Sequence, residues 1–190
     1  MSDTILKICV VGPPKVGKTL LCRSLADQPI FLGENAYQPT VAVRIQEFTK
    51  VIGATNERVK VHLWDCSGNT QYQSYWPVFS KDIDGVILVL DPQKPEQEKD
   101  LETFYRNFAE PNNLFTRQCL IFALQVQKGL GGWSGLQGGL KKLTNSFVSL
   151  SPSAPSVGLQ EAMPQIDTLL AGCLQSKKEA LESSYMGQDE

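Results

Sequence analysis

Gly12-Pro13-Pro14-Lys15-Val16-Gly17-Lys18-Thr19 is the stretch whose reading decides the fold. It has the form G-x-x-x-x-G-K-[ST], in which a tight turn wraps backbone N–H groups around a phosphate chain. Its flanks give it context. Ile5-Leu6-Lys7-Ile8-Cys9-Val10-Val11 is an apolar run typical of a buried strand, and Leu20-Leu21-Cys22-Arg23-Ser24-Leu25-Ala26 reads as a helix. Strand, loop and helix in that order aim a helix N-terminus, with its free N–H groups and partial positive charge, at the phosphates. Gly12 and Gly17 let the backbone approach closely, with Lys15, Val16 and Leu20 in the same cradle. Lys18 supplies a point charge for the outer phosphates, and Thr19 offers a hydroxyl to Mg2+. Pro13 and Pro14 carry no N–H, so the loop is expected to grip its ligand with two fewer donors.

Working outward, a polar loop from about Asp27 to Pro39 leads to Thr40-Val41-Ala42-Val43-Arg44-Ile45, which opens a strand running to about Ile52. Gly53 to Glu57 reads as a turn, and Arg58 to Trp64 alternates again, so the two form an antiparallel hairpin at a sheet edge. His62, the single histidine, is expected to be a solvated strand residue with no catalytic role. Trp64-Asp65-Cys66-Ser67-Gly68 then places a carboxylate at a strand end and a glycine in the following turn. One hairpin after a phosphate loop, such a carboxylate holds Mg2+ through water and the glycine N–H approaches the terminal phosphate.

Asn69 to Asp84 is irregular and holds Tyr72, Tyr75, Trp76 and Phe79. About half of these aromatics are expected in the core, with a partner surface drawn from Tyr72, Tyr75 or Trp76. Gly85 to Asp91 and Gln118 to Val126 are apolar runs of strands buried on both faces. Between them, Pro95 to Ala109 reads as a helix with Leu101, Phe104, Tyr105 and Phe108 at helical spacing. Gly129 to Gly139 is a glycine-rich loop. A short helix over Leu140–Asn145, a strand over Ser146–Leu150 and a final amphipathic helix over Leu159–Leu181 follow. Strands alternating with helices imply an α/β fold: six strands, mostly parallel, one antiparallel edge strand, and helices on both faces. The domain is expected to span 1–182, with a loose tail over 183–190.

The chain has 190 residues, 42% hydrophobic and 20% charged, enough for one domain with a full core. A net charge of −2 without a Lys/Arg block leaves no footprint for nucleic acid. The cysteines Cys9, Cys22, Cys66, Cys119 and Cys173 are dispersed through apolar contexts, as reduced core residues are. The sequence ends Tyr185-Met186-Gly187-Gln188-Asp189-Glu190, without a prenylation cysteine, so no direct lipid anchor is expected.

The phosphate loop after the first strand, followed by an antiparallel hairpin, resembles the small GTPases of the Ras superfamily and their Rab branch. The resemblance covers essentially the whole chain and implies the P-loop small-GTPase fold. It implies that Thr40 is the first-switch threonine, that Asp65 to Gly68 form the second-switch motif, and that GTP or GDP binds with Mg2+. Thr19 and Thr40 would then ligate the metal directly and Asp65 through water. The departures are as informative. Asn69 stands where such enzymes carry the glutamine that orients water, and Gln71 is out of register, so hydrolysis is expected to be weak or absent. The guanine-reading Asn-Lys-x-Asp is replaced by Leu124-Gln125-Val126-Gln127-Lys128, and only Ser151 answers to the Ser-Ala-Lys motif. Together with Tyr75-Trp76-Pro77 and Pro39 to Ile45, these departures resemble the atypical Rab-like GTPases of intraflagellar transport. That resemblance implies a subunit of the B complex, bound to its coiled-coil core subunits, in the cytoplasm and in the basal body and axoneme of the cilium or flagellum.

Three other readings stand beside this one. The chain is an active GTPase whose partner supplies the catalytic group, a P-loop phosphotransferase, or a pseudo-GTPase with an empty site. The hairpin order and the lack of an arginine-rich lid argue against the phosphotransferase. Lys18, Thr19, Thr40 and Asp65 together argue against the empty site.

Overall fold

The computed structural model describes residues 4–29, 38–53, 55–125, 135–136, 138–149, 160 and 162–186. Six strands form one sheet: β1 (Thr4–Val11), β2 (Val43–Ile52), β3 (Glu57–Cys66), β4 (Gly85–Leu90), β5 (Cys119–Gln125) and β6 (Thr144–Ser149). Their spatial order is β2-β3-β1-β4-β5-β6. β2 runs antiparallel to β3, and all other neighbours are parallel. The parallel majority and the antiparallel edge strand are as expected. Among the described residues the α-helices are α1 (Lys18–Leu25), α2 (Trp76–Phe79), α3 (Gln97–Phe108) and α4 (Met163–Met186).

Alternation along β1 assigns the two faces. Leu6, Ile8 and Val10 join Leu21 and Cys22 of α1 and Ile166, Leu170 and Cys173 of α4 in one core. Cys9 and Val11 face the other way, toward Trp76, Leu101, Phe104 and Phe108. β4 and β5 are buried at every position, which is why they read as unbroken apolar runs. All five cysteines are buried free thiols.

Several boundaries move. β2 begins at Val43 rather than Thr40, because Ala42 takes a left-handed φ of 53° that breaks the strand path. Thr40 is thereby released from the sheet. A 3-10 turn over Gly139–Lys142 replaces the longer helix expected to Asn145, and β6 already starts at Thr144. α4 starts at Met163, with Pro164 in its first turn, and continues to Met186, past Ser183 where the loose tail was placed. The segment after β3 is a 3-10 turn (Thr70–Tyr75) running into α2. Within it Trp76 is 3% exposed and packs on Phe104 and Phe108 at 4.7 and 5.7 Å, so it is a core residue and not part of a partner surface. Tyr75 is exposed. His62 is half-buried, paired across the hairpin with Glu47 at 3.3 Å. The Gly129–Gly139 loop lies largely outside the described residues.

Candidate nucleotide and metal site

The carboxyl ends of the parallel strands share one edge of the sheet, and the chain reverses direction across β1 there. In open α/β sheets that crevice is where ligands bind. The loop leaving β1 turns through left-handed or positive φ at Gly12 (145°), Lys15 (64°) and Gly17 (92°). Such alternation points successive N–H groups inward as an anion nest. Gly12 has a second constraint, since a Cβ there would stand 2.1 Å from the carbonyl oxygen of Val89. Gly17 caps α1 without any side-chain hydrogen bond, so the first-turn N–H groups of Lys18, Thr19 and Leu20 have no capping side chain.

Lys18 is buried, and its ammonium donates to the carbonyls of Gly12 (2.9 Å) and Pro13 (2.6 Å). Two of three donors are thus committed to holding the side chain across the loop, and one remains for a ligand. Burial pulls its pKa from 10.5 to about 8, with the Asp65 charge opposing the shift. A buried ammonium in that condition is poised to gain from an anion.

Asp65 and two threonines converge beside it. Thr19 Oγ1 donates to Asp65 Oδ2 at 2.6 Å, Thr40 Oγ1 donates to the same oxygen at 3.2 Å, and the two hydroxyls lie 3.0 Å apart. Asp65 is fully buried, and its Oδ1 has no hydrogen-bond partner among the described residues. Burial raises its pKa, while Thr19, Lys18, Thr40 and Arg44 pull it down. A buried carboxylate with an orphan oxygen next to two hydroxyls is a hard, all-oxygen donor set, which suits Mg2+. The residues proposed for the metal from sequence therefore meet, although they come from α1, the segment before β2, and β3.

The turn after β3 closes the site. Ser67 N–H donates to the carbonyl of Ala42 at 2.8 Å, tying the second-switch turn to the start of β2. Gly68 lies directly against the phosphate loop. Asn69 Oδ1 accepts from the Gln71 N–H at 3.0 Å and caps the 3-10 turn. Gln71 itself is exposed. Gln125 ends β5, buried, at the same sheet edge. Gln127, Lys128 and Ser151 lie outside the described residues.

Sequence reasoning missed the carbonyls of Gly12 and Pro13 as the clamps on Lys18, and Arg44, which pairs in register with Asp65. Backbone acceptors leave no mark in side-chain identity. The hairpin register, which joins Val43 to Cys66 and steps inward from there, was the signal for Arg44.

Residues 7–125 match the family model of the Roc (Ras of Complex) domain of DAPkinase. Intraflagellar transport protein 22 of Chlamydomonas reinhardtii is 64% identical over 100% of this chain and 100% of its own length. The chain belongs to the intraflagellar transport protein 22 family of Ras-like small GTPases. Among solved structures, the GTP-bound crystal structure of T. brucei IFT22/74/81 matches with a TM-score of 0.73 and 26% identity, covering 94% of this chain and 99% of that one. GDP-bound T. brucei IFT22 shares the fold, with a TM-score of 0.66 at 24% identity over 92% of this chain and 99% of that one. The family assignment agrees with the small-GTPase resemblance.

Proposed function

We propose that this chain is a nucleotide-binding subunit of the intraflagellar transport B complex, holding GTP or GDP with Mg2+ and docking on coiled-coil core subunits. The carrying observation is the meeting of Thr19, Thr40 and Asp65 beside the buried Lys18. Lys18 and the N–H groups of Lys15 to Leu20 would hold the phosphates, and Thr19, Thr40 and Asp65 the metal. When bound, Mg2+ neutralises phosphate charge. This chain's residues would do the rest: Lys18 binds, Thr40 and Gly68 register whether the outer phosphate is present, and Gln125 at the end of β5 stands on the base side, a role the sequence alone extends to Gln127, Lys128 and Ser151. The GTP-bound T. brucei IFT22/74/81 structure supports both the nucleotide and the coiled-coil partner. A place in the cilium or flagellum is supported by the family, and a cytoplasmic pool is part of the same proposal.

Hydrolysis by the isolated chain is weak in this reading, because Asn69 is engaged with its own turn. Calorimetric titration with GTP, GDP and ATP, each with Mg2+, tests the site. Guanine nucleotides should bind and Lys18→Ala should abolish binding; equal binding of ATP would refute guanine selectivity. Pull-down of the coiled-coil pair by GTP-loaded and nucleotide-free protein tests the partner.

A further inference from the structure

Arg44 and Asp65 stand opposite one another across the β2–β3 pair. Their side chains therefore leave the sheet on the same face, with Cβ atoms about 5 Å apart. Asp65 has two hydroxyl donors on Oδ2 and none on its buried Oδ1. Lys18, the other nearby cation, has turned two of its donors to backbone carbonyls. Arg44 is exposed and, among the described residues, its guanidinium makes no hydrogen bond or ion pair. Its charge partly offsets the upward shift that burial imposes on Asp65. Among the described residues, an exposed guanidinium without a partner and a buried carboxylate oxygen without a donor thus belong to side chains on the same face of the hairpin.

We propose that Arg44 is a built-in counter-cation for Asp65: without metal its guanidinium turns in to Asp65 Oδ1 and holds the Thr19–Thr40–Asp65 corner together. The proposal rests on the nucleotide-binding reading above and deepens it. Arginine suits the task because it stays charged at every working pH and its planar fork matches a carboxylate. A divalent cation at Asp65 displaces Arg44 outward, so metal and guanidinium compete for one oxygen. Nucleotide retention is consequently less dependent on Mg2+ than it would be with a neutral residue at position 44.

The test uses the full-length chain loaded with fluorescently labelled GDP and chased with unlabelled GDP, in Mg2+ and in EDTA. EDTA should accelerate release from Arg44→Gln about threefold more than from the native protein, the rate equivalent of one modest charge contact. Arg44→Lys should restore part of the difference. Equal acceleration in native and Arg44→Gln protein, or slower release from the variant in EDTA, overturns the proposal. If the native chain takes up no nucleotide, the nucleotide reading itself fails. Thermal unfolding of the ligand-free chain then decides on Arg44 alone. Arg44→Gln should lower the midpoint in the native background and leave it unchanged in Asp65→Asn; additive shifts overturn the pairing.

Discussion

Gly68 rests so close to Gly12 that a Cβ on it would stand 2.4 Å from the Gly12 carbonyl oxygen. The same Cβ would stand 2.5 Å from the carbonyl carbon of Pro13 and 2.6 Å from the nitrogen of Pro14. All three neighbours are backbone atoms, and two belong to prolines whose φ is locked, so the loop does not yield. Gly68→Ala should push the second-switch turn off the phosphate loop and leave the sheet intact. Amide hydrogen exchange over residues 67–75 should accelerate at least about tenfold, while the amides of β1 and β4 stay protected. Unchanged exchange in the turn would show that it is not seated on the loop in solution.

Lys18 has a pKa of about 8 in the ligand-free chain because burial disfavours its charge. A phosphate chain favours the charged form and raises the value again. Binding near pH 8 should therefore take up protons at Lys18, and binding about two units lower should take up none there, because the group is already charged. Calorimetry in two buffers of different ionisation enthalpy should show this uptake, and Lys18→Arg should remove it. For stability the sign is that of a depressed pKa. The contribution is present above 10.5 and lost as pH falls through about 8, so the ligand-free chain gains stability as pH rises across that window.

Trp76 and Tyr75 are adjacent and opposite in role. Trp76→Ala removes a buried ring from the α3 face and should cost about 3–5 kcal/mol. Trp76→Phe should cost less, because it also removes an indole N–H that has no partner. Tyr75→Ala and Val78→Ala are surface changes, at 54% and 65% exposure. They should stay within about 0.5 kcal/mol by denaturant midpoint. Their effect belongs in partner pull-downs instead.

Asn69→Ala should cost about 1 kcal/mol, since its side chain caps the 3-10 turn. Asn69→Asp keeps the acceptor and should cost little. Asn69→Gln gives up the cap without aiming an amide at the site, so single-turnover GTP hydrolysis should not rise. An increase would show that the turn re-forms around the longer side chain.

Asp84 joins the lower end of the sheet to α4. Its Oδ2 accepts from the Lys7 N–H at 2.8 Å and from Lys177 Nζ at 2.9 Å, and Lys177 also donates to the Ile5 carbonyl at 2.7 Å. Asp84→Ala should destabilise by about 1–3 kcal/mol and exceed Lys177→Met, because it strands a strand N–H as well as an ammonium. Chemical denaturation of both variants checks the order.

The sequence alone determined the phosphate loop, the strand–helix alternation and the hairpin. These are local: glycine spacing, apolar periodicity and a threonine after Gly17-Lys18 act within a few residues of themselves. It also named Thr19, Thr40 and Asp65, because each occupies a recognisable place beside a local element. What only the tertiary structure decided is nonlocal. Trp76 and Tyr75 are equally aromatic in sequence, and packing against Phe104 and Phe108 is what buries one of them. Asn69 stands at a motif position in sequence, and only the turn geometry shows that its side chain caps the 3-10 turn through Gln71. Arg44 carries no motif; it matters because a register ten residues long brings it opposite Asp65. The clamps on Lys18 are carbonyl oxygens, which every residue has and only a fold can aim.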